Sequence, residues 1–222
     1  MSKKMKEAIL ITIVLLPLIY LALIWKSLPD IVPTHFNVEG DPNDWSNKTT
    51  LIYITSGVTI GIYLLMLIIP FIDPKKKIEQ MGNKYYNLRF ILTLFMSILA
   101  IYIIFVSKIG TMKGSNGLFI IIGAFFAALG NYFQTVRANY FVGIRTPWTL
   151  ENENVWKKTH RLGGQIWMIG GVLLIIFAFT IRNNNIYALI FAGILAVMII
   201  VPIIYSYKAF QKEKTRIDDK IS

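Results

Sequence analysis

Six long apolar stretches, all of them free of Asp, Glu, Lys, Arg and His, occupy most of this 222-residue chain. A helix needs about 20 apolar residues to cross the hydrocarbon core of a bilayer, and each stretch approaches or exceeds that length. Soluble proteins rarely repeat this pattern six times, so we expect an integral membrane protein. The stretches cover residues 8–25, 49–72, 90–107, 114–136, 162–181 and 183–207.

The composition agrees with this interpretation, because only 16% of the residues are charged, against about 25% in soluble domains. The predicted fold class is therefore an all-α membrane protein with six transmembrane helices. Ion-coupled carriers usually need ionisable side chains at membrane depth. The six stretches contain none, which argues against a proton-coupled transporter.

The positive charges predict the orientation of the chain. With the amino terminus in the cytoplasm, the inner segments carry 18 Lys and Arg residues and the outer segments carry 5. Because positive residues concentrate on the cytoplasmic side, both termini are predicted to be cytoplasmic. The net charge of +11 is then a topology signal rather than evidence of nucleic-acid binding. The first stretch is interpreted as a retained signal anchor, since no small-residue cleavage site follows it.

Two polar loops distinguish the two halves of the chain. The N-terminal half, residues 1–110, contains an outer loop at 26–48, and the C-terminal half, residues 111–222, contains an inner loop at 137–161. The outer loop is rich in Pro, Gly, Asn and Asp, which predicts an ordered turn structure with a short extended piece over 34–38. In the inner loop, Thr149 resembles a helix N-cap, and we expect a short interfacial helix before the fifth span.

Glycines in the fifth stretch indicate close helix packing. Gly163 and Gly170 are seven residues apart, as are Gly164 and Gly171. This spacing places small residues on one face of the helix, where a neighbouring backbone can approach.

The chemistry of the loops argues against an enzyme or a metal centre. The chain has no Cys and two His, and the predicted topology places His35 and His160 on opposite sides of the membrane. A catalytic zinc site needs about three protein ligands, and neither a HExxH helix nor a phosphate-binding GxxxxGK[ST] loop is present. The acidic cluster of the outer loop lacks the calcium-binding EF-hand spacing and is interpreted as Asx turns. We therefore predict no catalysis, no metal and no cofactor.

The two loops nevertheless resemble a known family. The inner loop contains Asn139-Tyr-Phe-Val-Gly-Ile-Arg-Thr-Pro-Trp148, followed by Trp156-Lys-Lys-Thr-His-Arg161. This string resembles the signature of the SdpI family, bacterial membrane proteins that give immunity to a secreted sporulation-delaying peptide toxin. The outer loop contains Pro33-Thr-His-Phe-Asn37 with Gly40 and Trp45, which is similar to the small domain that opens longer family members.

The resemblance implies a multi-pass protein of the bacterial cytoplasmic membrane that protects its cell from a membrane-active peptide. It also implies a possible signalling role, in which the toxin-engaged protein holds a transcriptional repressor at the membrane. The candidates for toxin contact are His35, Phe36, Asn37, Asp44 and Trp45. The candidates for contact with a repressor or with lipid are Asn139, Gly143, Arg145, Thr146, Pro147, Trp148, Trp156, His160 and Arg161.

Each candidate has an ordinary alternative. His35 is equally compatible with a turn histidine that is hydrogen-bonded within its loop, and the aromatic residues with interface anchors. The arginines of the inner loop are compatible with simple positive-inside anchoring or with binding of lipid phosphates. For the whole chain, the alternative function is a small-molecule or lipid transporter.

Overall fold

The computed structural model describes residues 2–113 and 116–221, with side chains as far as Arg216. The described chain is mostly helical, with one two-stranded sheet. The helices are α1 (Lys3–Ile24), α2 (Thr50–Ile72), α3 (Asn83–Ile109), α4 (Gly117–Phe133), α5 (Pro147–Glu151), α6 (Glu153–Thr180) and α7 (Asn184–Ile221). The strands are β1 (Ile31–Phe36) and β2 (Pro42–Asn47).

Five of the helices are long and apolar enough to cross a membrane: α1, α2, α3, α6 and α7. The sixth apolar helix, α4, has 17 residues and is shorter than the predicted stretch. Residues 134–136 of that stretch lie outside the helix, and Gly114 and Ser115 lie outside the described residues. The prediction of a mostly helical membrane protein is confirmed, with five to six apolar helices able to span a membrane, and the prediction of six spans stays a prediction.

The helices pack in two groups that meet along α3 and α4. The first group is α1, α2 and α3, and the second is α4, α6 and α7. One end of the bundle carries the starts of α1, α3 and α6, which we call the inner end because the charge distribution predicts it to be cytoplasmic. The other end, which carries the hairpin of β1 and β2, is called the outer end. The predicted division at residue 110 stays a prediction.

Glycines allow the backbones of α4 and α6 to touch. A Cβ atom on Gly130 would lie 2.6 Å from the Gly164 carbonyl oxygen, and one on Gly171 would lie 2.4 Å from the Gly123 carbonyl oxygen. The other glycine pair of α6, Gly163 and Gly170, faces α7, because a Cβ on Gly170 would meet Met198 of that helix. The predicted close packing therefore occurs, but the two rows contact two different helices.

Two prolines inside helices leave carbonyl groups that neighbouring aromatic residues bind. Proline has no N–H, so the carbonyl four residues earlier loses its helical partner. Pro70 frees the Met66 carbonyl, which accepts a 2.6 Å hydrogen bond from the Tyr85 hydroxyl of α3. Pro202 likewise frees the Met198 carbonyl, which accepts a 2.9 Å bond from the indole N–H of Trp167 in α6. Each freed carbonyl is thus satisfied by a hydrogen bond from a neighbouring helix.

The outer loop folds as an antiparallel hairpin that is docked on α3. Its register pairs Val32 with Ser46 and His35 with Asp44, with one register shift before His35 and one after it. Val32 is fully buried beside Leu21, Leu51 and Ile104. The ordered outer loop therefore exists. The extended piece predicted over 34–38 ends at Phe36, since residues 37–40 form the turn.

The inner loop contains a short helix, but its predicted cap is wrong. Thr146, not Thr149, occupies the N-cap of α5, and Thr149 completes the capping box as the third helical residue. This follows from Pro147, which is pre-organised for the first helical position. Asn152 then caps α6 by accepting from the N–H groups of residues 154 and 155. The segment expected to lie on the membrane surface is instead the first part of the continuous helix α6.

Candidate functional site

The outer hairpin brings together the residues predicted to contact a toxin. Trp45 is 52% exposed, and the side chains of His35 and Asp44 also face solvent, while Phe36 is partly buried. His35 Nδ1 lies 2.5 Å from Asn43 Oδ1 across the two strands. His35 is therefore hydrogen-bonded within its own loop, and its ring is at the same time accessible to solvent.

Asn37 has a different role from the other outer candidates because it builds the turn. Its backbone N–H donates to the Asp41 carbonyl at 2.9 Å, and its side-chain oxygen accepts from the Asp41 N–H at 2.8 Å. Gly40 follows with φ +85°, which a side chain would strain, and its carbonyl accepts from the Met112 N–H at 2.9 Å. This turn is thus fixed to the segment after α3.

Two acidic residues of the outer loop, Asp30 and Asp41, form ion pairs. Asp41 lies 2.7 Å from the Lys113 ammonium, and Asp30 lies 2.9 Å from the Lys48 ammonium at the base of the hairpin. A hydrogen bond and charge attraction from Lys48 lower the pKa of the Asp30 carboxyl below its ordinary value. Within the described residues, no group of three or more acidic or His side chains is arranged to hold a metal ion.

At the inner end, Asn139 organises the loop between α4 and α5. It is 1% exposed, and its amide group makes four hydrogen bonds to the backbone. The side-chain NH₂ donates to the carbonyls of Arg137 and Val142, and the side-chain oxygen accepts from the N–H groups of Phe141 and Val142. A residue that we predicted to contact a partner is instead buried in the loop that it shapes.

Gly143, His160 and Trp156 form one packed unit. The Gly143 backbone has φ +110°, and a Cβ there would lie 2.3 Å from His160 Nε2. The same Nε2 accepts a 2.8 Å bond from the Ile144 N–H, so Nδ1 carries the proton and donates to the Trp156 carbonyl at 2.9 Å. The imidazole stacks on Trp156 at 3.9 Å between ring centroids. Trp156 in turn donates its indole N–H to the Val136 carbonyl at 3.0 Å.

The remaining inner candidates lie against α7 or face solvent. The Thr146 hydroxyl contacts the Ser206 hydroxyl at 3.1 Å, and Trp148 packs edge-on against Tyr207. Pro147, Arg145 and Arg161 are exposed. The Arg145 guanidinium donates to the Tyr140 carbonyl, which holds it at the loop surface. Arg145 and Arg161 are the predicted inner residues that offer charge to a partner.

An ion pair between α1 and α3 was missed by the sequence interpretation. Arg89 donates to both carboxylate oxygens of Glu7, at 2.6 and 2.9 Å, and the Tyr63 hydroxyl of α2 donates to the same carboxylate at 3.1 Å. Arg89 is buried, and its Nε has no hydrogen-bond partner. Both residues border apolar stretches and were counted as loop charges. The signal available was the acid Glu7, which stands among the lysines of the first segment.

The class of protein follows from these features. The chain is a multi-pass helical membrane protein with a docked hairpin at one end and a hydrogen-bonded signature loop at the other. Residues 135–206, which include that loop, match the SdpI/YfhL protein family. Residues 12–60, which include the hairpin, match a domain of unknown function, DUF1648.

A relative of known name covers nearly the whole chain. The chain is 28% identical over 206 residues to Immunity protein SdpI of Bacillus subtilis (strain 168), and the alignment spans 91% of this chain and 95% of that protein. The resemblance to the SdpI family that the two loops indicated is therefore confirmed. No solved structure matches the chain.

Proposed function

We propose that this protein is a membrane immunity protein that protects its cell from a secreted, membrane-active peptide toxin. The observation that carries the proposal is the 28% identity to Immunity protein SdpI over 91% of this chain. The action proposed is binding rather than catalysis, with no cofactor. The cellular location proposed is the cytoplasmic membrane of a bacterium.

The proposal includes six spans with both termini in the cytoplasm. Helix α4 is the critical element, because its 17 residues extend roughly 26 Å, less than the ~30 Å hydrocarbon core. A short span is accommodated by local thinning of the bilayer at modest cost. The close glycine contacts with α6 support this placement, since they hold α4 alongside a helix of full length.

The hairpin is the proposed point of toxin capture. It extends from the outer end, where a secreted peptide arrives, and it presents Trp45 and Phe36 beside His35 and Asp44. Covering the aromatic surface would supply affinity at roughly 25 cal/mol per Å² of apolar area. The polar side chains would then discriminate among peptides, because an unmatched buried polar group is costly.

The test is protection of a toxin-sensitive bacterium that expresses the chain, challenged with purified sporulation-delaying peptide. We expect growth and an intact membrane potential with the native protein, and killing when His35, Phe36 and Trp45 are all replaced by Ala. The control protein has Ala in place of Phe105 and Phe179, two exposed aromatic residues near the outer ends of α3 and α6. We expect this control to protect the cell as the native protein does. Equal protection by all three proteins, at equal membrane abundance, would remove the hairpin from the mechanism.

A second proposed role is signalling through the inner loop. Arg145 and Arg161 are exposed in a loop whose other candidates are largely buried, so they offer charge to an acidic surface of a repressor. A toxin can drive such capture only if it prefers one conformation of the protein. Repressor recruitment to membranes should therefore increase when the peptide is added. Equal recruitment with and without peptide would contradict a ligand-driven switch.

A further inference from the structure

A basic cavity lies at the inner end, and Trp156 and His160 are among its lining residues. Its volume is about 720 Å³. Four cationic side chains from four separate parts of the chain line it: Lys77, Lys84, Arg137 and Lys157. Glu153 is the acidic residue among its lining residues. The predicted site residues do not include these four cations.

The cavity is partly pre-organised. The Lys84 ammonium donates a 2.6 Å hydrogen bond to the Thr135 carbonyl at the end of α4, which fixes the position of its charge. The Lys77 ammonium lies 5.5 Å from the centre of the Tyr140 ring, and Lys75 lies 5.4 Å from the same ring. Trp156 forms part of the cavity wall, and its hydrogen bond to the Val136 carbonyl fixes its position. A ligand therefore meets charges whose side-chain freedom is already reduced.

The electrostatic character of this region is strongly positive. Lys157 and Glu153 are 3.9 Å apart and both are exposed, so that pair neutralises little of the charge. Nearby, a hydrogen bond from Lys75 lowers the pKa of the Tyr140 phenol, and Lys77 acts in the same direction. A compact anion with several oxygen atoms matches converging ammonium and guanidinium donors.

The geometry points to a phosphate-binding site in this cavity, with a phosphate-bearing lipid headgroup or a free phosphate as its ligand. The position favours such a ligand, because the cavity lies where α3 and α6 begin and α4 ends, at the predicted cytoplasmic interface. Anionic phospholipids concentrate at that surface and attract Lys and Arg residues there. The site is separate from the toxin-binding hairpin, so its test does not depend on immunity.

The test compares ligands on the purified full-length protein in neutral detergent. Short-chain phosphatidylglycerol, short-chain phosphatidylcholine and inorganic phosphate are titrated, and binding is followed by Trp fluorescence and by the thermal midpoint. The cavity variant carries Arg137→Gln and Lys157→Gln, two exposed positions whose replacement should not disturb folding. The control carries Lys208→Gln and Lys214→Gln, which remove the same charge from exposed positions of α7.

We expect phosphatidylglycerol to bind about thirtyfold more weakly to the cavity variant than to the native protein or the control, since two cations are removed and each contributes about 1 kcal/mol. Arg137→Lys with Lys157→Arg should restore most of the affinity. If inorganic phosphate also binds more weakly to the cavity variant than to the native protein, the ligand is free phosphate. If only the lipid shows this loss of affinity, the ligand is the lipid headgroup. Identical affinities for the cavity variant and the control would overturn the site. The site would also be overturned if neither phosphate nor lipid bound and an acidic peptide bound more weakly to the cavity variant than to the control.

Discussion

The outer hairpin and the inner loop both contain recognisable motifs, yet they use them in opposite ways. In the hairpin, the backbone carries the structure and side chains such as His35 and Trp45 remain at the surface. In the inner loop, side chains such as Asn139 and His160 carry the structure, and both are about 1% exposed. A motif that is dense in polar and aromatic residues is therefore not in itself a binding site.

The difference follows from what each loop must satisfy. The hairpin strands pair their own backbone groups, so side chains are free for contact. The inner loop has little regular structure between α4 and α5, and its backbone N–H and C=O groups still require partners. Asn139, His160, Trp156 and Thr149 supply those partners. We therefore expect substitutions in the inner loop to reduce stability, and substitutions in the hairpin to reduce recognition.

The largest expected effect is that of Gly143→Ala. A Cβ at this position would lie 2.3 Å from His160 Nε2, on a backbone with φ +110°. We expect a loss of about 3 kcal/mol or more in the free energy of unfolding, measured by SDS titration in mixed micelles. Gly110→Ala is the matched control, because Gly110 also has positive φ (+84°) but no atom lies within 4 Å of its Cβ position. The control should lose only about 1–2 kcal/mol. Equal losses would mean that the contact with His160 contributes nothing.

The two histidines of the chain provide a direct comparison of the loops. His160→Ala removes a ring stacked on Trp156 together with two hydrogen bonds, and should cost about 3 kcal/mol of stability. His35→Ala removes an exposed contact with Asn43 and should cost about 0.5 kcal/mol or less. The same titration measures both variants. A larger loss for His35 than for His160 would reverse the assignment of structural and accessible roles.

Much of the fold could be predicted because the bilayer requires it. Long charge-free stretches must be helical in lipid, where backbone groups have no water to bind. The ends of the helices could not be predicted in the same way. Helices α3 and α6 begin at Asn83 and Glu153, well before the apolar stretches at 90 and 162. Charged residues such as Arg89 can enter a helix at the interface when a partner, here Glu7, is close.

The site could be predicted only in part, because a motif does not specify which side chains are buried. The outer residues were correctly placed in one ordered loop, and their role in toxin binding stays a prediction. The inner residues were correctly placed in one loop as well, but the bonds of His160 and Trp156 depend on a fold that brings residues 144 and 160, and 136 and 156, together. The phosphate-binding cavity is further from prediction, since its cations come from four separate parts of the chain.

The smallest expected effect tests whether side chains matter to the hairpin at all. Asp30→Asn removes the pair with Lys48, whose ammonium also lies 5.3 Å from the centre of the Trp25 ring. Because Asp30 is 88% exposed, we expect a shift in thermal midpoint that is barely detectable at low salt and absent at high salt. The pKa of Asp30 is lowered in the folded protein, so its contribution is present at neutral pH and is lost as the pH falls through that lowered pKa. Glu39→Gln removes the same charge from the same hairpin and serves as the control. A large shift for Asp30→Asn alone would show that a side chain, and not the strand pairing, holds the hairpin in place.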